Sequence, residues 1–183
     1  MMNGNPVEYN GNIITQLHLT RGNQSIYTFS DNSYQQLLKV EYFRDYTTNP
    51  IVSNQVVFEY EGDNLIFFQI KRLDDETGEF QIINETRYTY DDNPNPFRKG
   101  HSQIAMVSYY QSMLDLTWGE FNLIYRSANN VTQRDSFYDH LDGFTSNVID
   151  YSYEYDSMGY PITRTNTNQN GSNEFLLKYD YYE

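Results

Sequence analysis

The chain has 183 residues, which is enough for one domain with a substantial core. Its 25 acidic residues outnumber its 12 Lys and Arg, giving a formal net charge of −13, which disfavours nucleic acid and anionic membrane surfaces as partners because both bind clustered Lys and Arg. It has no Cys, which excludes disulfides and thiolate chemistry within the chain, and no apolar run long enough for a transmembrane segment.

Alternating apolar residues predict strands along most of the chain, because a period of two places alternate side chains on one face. With 17% aromatic residues the chain is also too rich in rings to be disordered. After a loose lead-in over residues 1–11, we predict about ten or eleven strands. In chain order they lie near 12–21, 25–29, 38–42, 52–60, 66–70, 79–90, 121–125, 131–137, 148–155, 162–166 and 175–181. Helical spacing of apolar residues after Ser102 predicts one helix at about 103–115.

The parity of the apolar residues also predicts which side chains share a face. Three such sets are Val52 with Val56, Phe58 and Tyr60; Ile66 with Phe68 and Ile70; and Phe80 and Ile82 with Tyr88 and Tyr90.

A hairpin unit is clearest at residues 151–164, where Tyr151, Tyr153 and Tyr155 alternate with polar residues. Asp156 is predicted to open a turn by accepting a bond from an N–H two residues on, and Gly159 to close it in a left-handed conformation. The last aromatic before each turn recurs at roughly thirty-residue spacing, which is typical of a repeated supersecondary unit. These aromatics are Phe29, Tyr60, Tyr90, Tyr125 and Tyr155. By analogy with Gly159, Asn64 and Asn129 are predicted to take the left-handed position, which Pro94 cannot adopt.

The run Tyr153-x-Tyr155-Asp156-x-x-Gly159-x-Pro161 resembles the tyrosine–aspartate (YD, or Rhs-type) repeat of bacterial surface proteins. With the runs at 88–97 and 129–132, residues 27–182 are more similar to a family of secreted or lipid-anchored proteins from gut-dwelling Gram-negative bacteria, whose activity is not established. The resemblance implies a fold and no catalytic residue. No signal peptide is visible at the first residues, which taken alone indicates a cytoplasmic chain. Because the resemblance is to secreted or lipid-anchored proteins, we expect instead that a leader, with a lipid-bearing Cys, precedes the mature chain. The implied location is periplasmic or outer-membrane-associated.

Acidic side chains and histidines offer the main candidates for chemistry. Asp91-Asp92-Asn93 is the nearest approach to a calcium loop, but turn capping explains acids that recur at turns. His140 lies between acids without evident further metal ligands, and His18 is expected to face solvent. No nucleophile, phosphate-loop or metalloprotease motif is present. We therefore predict no enzyme, no cofactor and no metal.

The candidate ligand-binding residues are His101, Tyr109, Tyr110 and Trp118, which cluster around the predicted helix. Rings presented from a rigid sheet can stack on sugars or hold peptides, although the same rings could fill the interior of a curled sheet. Separately, Asp156-Ser157-Met158 resembles the acceptor sequence for O-glycosylation in such bacteria, a short match that also arises by chance.

The sequence thus predicts an all-β antiparallel meander of repeated hairpins, curled into a half-barrel or open barrel, with the helix packed against it. The favoured function is a non-catalytic cell-envelope protein that binds a carbohydrate, peptide or lipid-like ligand. The alternative is a structural interaction module that serves as a scaffold in a surface assembly. A deep aromatic pocket near residues 101–118 would favour binding, and a continuous exposed apolar strip would favour the scaffold.

Overall fold

The computed structural model describes residues 6–18, 22–33, 35–44, 48–99, 127–140, 143–169 and 174–179. These residues form one antiparallel sheet of eleven strands, in which the order in the sheet is the order in the chain. The strands are β1 (Val7–Asn10), β2 (Ile13–His18), β3 (Asn23–Phe29), β4 (Leu37–Arg44), β5 (Ile51–Glu61), β6 (Asn64–Leu73), β7 (Phe80–Pro94), β8 (Asn129–His140), β9 (Gly143–Tyr155), β10 (Pro161–Asn168) and β11 (Glu174–Lys178).

The predicted all-β antiparallel meander is confirmed. Among the described strands, β1 and β11 each pair on one side only, so the sheet is open rather than closed. A short 3₁₀ helix, Pro96–Lys99, follows β7. The helix predicted at 103–115 lies outside the described residues. Within the part of the chain that the structure describes, no helix has both the length and the apolar character needed to cross a bilayer.

β1 lies in the segment that was expected to be a loose lead-in. It pairs with β2 from Val7 opposite Gln16 to Asn10 opposite Ile13, and Gly11 turns the chain at φ +60°. Most side chains of this edge strand are exposed. An edge strand with an exposed surface needs no apolar alternation, which is why the pattern did not reveal it.

The core lies on one face of the sheet, which we call the core face. Cross-strand partners form a continuous row over six strands, β2 to β7: Ile14, Tyr27, Val40, Val56, Ile70 and Asn84. A second row contains Phe58, Phe68, Thr86 and Ser136, where the Thr86 hydroxyl bonds to Ser136 at 3.0 Å. Each fully buried apolar side chain in these rows stabilises the fold by roughly 1.5–3 kcal/mol. The hydroxyl pair satisfies polar groups that burial would otherwise leave without partners.

At one end of the sheet, β4, β6, β8 and β10 each contain a β-bulge near their first residues, whereas β2, which begins at the same end, pairs with β1 without a register shift. The register shifts leave Leu38, Ile66, Thr132 and Ile162 without a direct partner. The residue before each bulge is buried opposite the last aromatic of the preceding strand. These pairs are Phe29–Leu37, Tyr60–Leu65, Tyr90–Val131 and Tyr155–Pro161. The repeating unit is therefore a hairpin with an aromatic–apolar pair and a bulge, and each bulge increases the local twist.

Because of the bulges, each of the three sets of residues predicted by parity to share a face is wrong in part. Leu65 is buried in place of Ile66, because the extra residue shifts β6 by one position. Two further bulges, at Ser53 and Ile83, lie at the opposite end, after the β4–β5 and β6–β7 connections. The bulge at Ser53 moves Val52 to the face opposite Val56 and Phe58. The bulge at Ile83 likewise moves Phe80 and Ile82, both exposed, to the face opposite Tyr88 and Tyr90.

The turn predictions hold at one position and are wrong at two. Gly159 has φ +83°, and the Asp156 carboxylate accepts the N–H of Met158 at 2.8 Å, as predicted. Asn64 is the first residue of β6 and pairs with Glu61, because Gly62 takes the left-handed position at φ +56°. Asn129 likewise begins β8, opposite Pro94.

The face opposite the core carries paired charges. Lys39 contacts Glu41 at 2.9 Å, and Arg87 contacts Glu85 at 2.5 Å. Gln69 donates to Glu85 at 2.9 Å, and the Arg87 guanidinium lies 5.3 Å from the centre of the Phe67 ring. Charges on this face are therefore paired at two places, where the Lys39 ammonium and the Arg87 guanidinium are each held by a carboxylate.

Candidate functional site

The four predicted ligand-binding residues, His101, Tyr109, Tyr110 and Trp118, lie outside the described residues. His18 and His140 are the last residues of β2 and β8. No cluster of three or more His, Asp or Glu side chains that could hold a metal ion occurs within the described ranges.

The segment that carries the four residues is anchored at both of its ends. The Asn95 N–H donates to the Ala128 carbonyl at 2.8 Å, and the Asn95 side-chain amide donates to the Ser127 carbonyl at 3.0 Å. Tyr90 donates to the Leu65 carbonyl at 2.5 Å and lies 2.9 Å from the Ser127 hydroxyl. Ser127 in turn accepts the Leu65 N–H at 3.1 Å. The chain thus leaves and re-enters the sheet at one place, tied to the turn between β5 and β6.

Asp91 joins three strands near this anchor. Its Oδ1 accepts the N–H groups of Asn93 and Asn130, at 3.0 and 3.1 Å, and its Oδ2 accepts the hydroxyl of Tyr155. Residues 91–93 bulge out opposite a single residue, because Tyr90 pairs with Val131 and Pro94 with Asn129. The carboxylate therefore caps an irregular turn, the role that the sequence predicted for the recurring acids, and its hydrogen bonds link β7, β8 and β9.

A group of polar and aromatic side chains occupies the core face beside this junction. We call it the tyrosine–arginine face: Tyr151, Tyr153 and Tyr155 on β9, with Arg164 and Asn166 on β10. Arg164 is the cross-strand partner of Tyr153, and Asn166 that of Tyr151. The Tyr153 and Tyr155 rings stack with centroids 5.7 Å apart. All three tyrosines are half-buried, while Ser152 and Glu154 are exposed, so the predicted alternation of this strand is confirmed.

Arg164 lies at the centre of this face and is only 9% exposed. Its guanidinium is 5.3 Å from the centre of the Tyr151 ring, and it hydrogen-bonds the Tyr153 hydroxyl. Its buried Nε and the buried Oδ1 of Asn166 have no hydrogen-bond partner among the described residues. Arg164 takes part in none of the ion pairs found in the described ranges. The cations of those pairs are Lys39, Arg44, Arg87 and Arg98.

The hydroxyls of Tyr153 and Tyr155 remain neutral hydrogen-bonding groups. Burial raises the pKa of Tyr153, while the nearby Arg164 opposes that rise. The pKa of Tyr155 is raised by burial and further by its hydrogen bond to Asp91. Tyr153 donates to the Val131 carbonyl at 2.9 Å. Since ionised phenols are disfavoured, the rings act as hydrogen-bond donors and stacking surfaces rather than as bases.

Sequence reasoning missed Arg164 and Asn166. A signal was present, because Arg164 is the only Lys or Arg in residues 151–168 and lies opposite the strand with the clearest aromatic alternation. Ser157, in the run that resembles a glycosylation acceptor sequence, is exposed in the β9–β10 turn.

No protein-family model matches the chain, and no curated protein matches it. Among solved structures, the chain is similar to a porin-like protein from Bacteroides vulgatus ATCC 8482, at 14% identity and a TM-score of 0.33, over 94% of this chain and 84% of that one. It is also similar to a porin-like protein from Bacteroides uniformis ATCC 8492, at 14% identity and a TM-score of 0.42, over 94% of this chain and 73% of that one.

Proposed function

We propose that the chain is a non-catalytic binding protein of the cell envelope, and that the tyrosine–arginine face holds its ligand. The observation that carries the proposal is Arg164, a nearly buried guanidinium held by tyrosines with no carboxylate partner among the described residues. The envelope location rests on the sequence resemblance to secreted and lipid-anchored proteins.

The chemistry of this face suits binding. Half-buried tyrosine rings offer flat apolar surface with a polar hydroxyl, a combination enriched at sites of recognition. The carboxylate nearest to the rings, that of Asp91, accepts three hydrogen bonds and serves as a structural acceptor. A carboxylate engaged in this way is poorly suited to act as a general base.

The scaffold alternative predicts a continuous exposed apolar strip. Large exposed apolar side chains in the described ranges are instead spread over β1, β4, β7, β10 and the β9–β10 turn. They are Tyr9, Leu38, Phe80, Ile82, Met158 and Ile162. β1, β4, β7 and β10 are not adjacent in the sheet, so these side chains do not form one strip. This distribution favours ligand binding over a scaffold role.

A thermal-shift screen of the purified chain against envelope glycans, short peptides and lipid-like detergents tests the proposal. We expect at least one class to raise Tm, and the variant Tyr151→Leu/Tyr153→Leu to lose that shift. Tyr9→Leu, on the distant edge strand β1, is the matched control and should keep it. The proposal fails if no probe class shifts Tm, or if the double variant responds like the unmodified protein.

A further inference from the structure

Arg164 is notable for what surrounds it. A guanidinium presents five N–H donors in a planar fork, and a buried positive charge without a counter-ion is costly unless its donors are used. The Tyr151 ring covers one side of the Arg164 guanidinium, and the Tyr153 hydroxyl accepts one hydrogen bond from it. The Nε–H, buried and without a partner among the described residues, shows that the fork is incompletely used.

Arg87, on the opposite face of the sheet, provides an internal comparison. Its guanidinium also lies 5.3 Å from the centre of an aromatic ring, that of Phe67. Arg87, however, is more than half exposed and contacts Glu85 at 2.5 Å. The cation over a ring is thus paired with a carboxylate at exposed Arg87. At Arg164, where burial makes a counter-ion more valuable, no carboxylate of the described residues forms such a pair.

We propose that the tyrosine–arginine face recognises a sugar acid, whose carboxylate binds Arg164 and whose ring lies against the tyrosines. This inference rests on the proposed function and specifies its ligand class. Arginine binds carboxylates in a bidentate, charge-assisted geometry. The Asn166 Oδ1, also without a partner among the described residues, accepts a hydrogen bond from a sugar hydroxyl. Tyr153 and Tyr155 stack on each other, and the exposed part of these half-buried rings offers aromatic surface to the C–H face of a pyranose.

The test compares two disaccharides that differ mainly in their carboxylates, digalacturonic acid and galactobiose, by isothermal titration calorimetry on the full chain. We expect digalacturonic acid to bind at least about tenfold more tightly, because a charge-assisted hydrogen bond discriminates on that order. This comparison needs no variant, so it does not depend on the folding of an altered chain.

Three variants then locate the contact. Arg164→Gln should remove the preference for the acid, Arg164→Lys should retain part of it through its charge, and Arg87→Gln should leave it unchanged. Unliganded Tm values establish that each variant is folded.

The outcomes separate this inference from the proposed function. If both disaccharides bind equally, or if only a neutral probe binds in a Tyr151- and Tyr153-dependent way, the sugar-acid inference is overturned while the binding function stands. If a short peptide binds instead, through its C-terminal carboxylate and with the same Arg164 dependence, the carboxylate contact is supported and the sugar is overturned. If no probe binds at all, both proposals fail.

Discussion

Removing the Asp91 carboxylate should destabilise the fold far more than removing an ordinary turn acid. Asp91→Ala leaves three donors without their acceptor: the N–H groups of Asn93 and Asn130 and the Tyr155 hydroxyl. Hydrogen bonds to a charged group are worth about 1.5–3 kcal/mol each, and water can replace part of this where the site is half-exposed. We expect a loss of about 3 kcal/mol from a total stability on the order of 5–15 kcal/mol.

Asp31→Ala is the matched control. Asp31 accepts the N–H and hydroxyl of Ser33, but it is exposed and its bonds stay within one turn, so its loss should destabilise the fold much less than the loss of Asp91. Urea unfolding at neutral pH, followed by far-UV circular dichroism, gives both values. A double-mutant cycle with Tyr155→Phe should show coupling of at least about 0.5 kcal/mol between Asp91 and Tyr155. Equal losses for the two aspartates, or no coupling to Tyr155, would refute the reasoning.

Three further predictions follow from the core and the turns. Gly159→Ala should lower the free energy of unfolding by about 1–2 kcal/mol, because φ is +83° and the new Cβ would lie 3.4 Å from Asn93 Oδ1. Gly62→Ala should lower it less in the same urea titration, because no atom lies within 4 Å of the new Cβ. Leu65→Ala should cost about 2–5 kcal/mol in that assay, since Leu65 is fully buried. Burial raises the pKa of Tyr27 to about 12, so its stabilising contribution is present below pH 10 and is lost as pH rises from 10 to 12. This loss is up to about 3 kcal/mol, and Tyr27→Phe should flatten the fall in stability measured by urea unfolding across that range.

Strand alternation was readable in the sequence because most strands have one buried and one hydrated face. The tyrosines of β9, for example, alternate with Ser152 and Glu154. The positions of the bulges could not be predicted from the sequence. One extra residue moves the following side chains of the strand to the other face, while the local strand propensity stays the same. That is why Leu65 rather than Ile66 is buried. It is also why Phe80 and Ile82 lie on the other face of the sheet from Tyr88.

The turn chemistry was readable where a single residue type decides the backbone conformation. Gly159 was predicted because few residues other than glycine adopt φ +83° without strain. Asn64 was misassigned because Gly62 offered a tighter two-residue turn that aligns Glu61 with Asn64.

The candidate site depends on contacts that sequence spacing does not encode. Asp91 and Tyr155 are 64 residues apart, yet they meet because β8 brings β7 close to β9. Arg164 is a candidate binding residue because it is buried and lies opposite Tyr153 in the sheet. Its position in the sequence reveals neither property.

The one-to-one match between chain order and sheet order also bears on how such a protein can change over time. Because every described strand pairs only with its sequence neighbours, duplicating or excising one whole hairpin in the interior would preserve the direction and register of the remaining strands. Proteins of this design can therefore differ in width by multiples of two strands, with each added unit bringing its own aromatic–apolar pair and bulge.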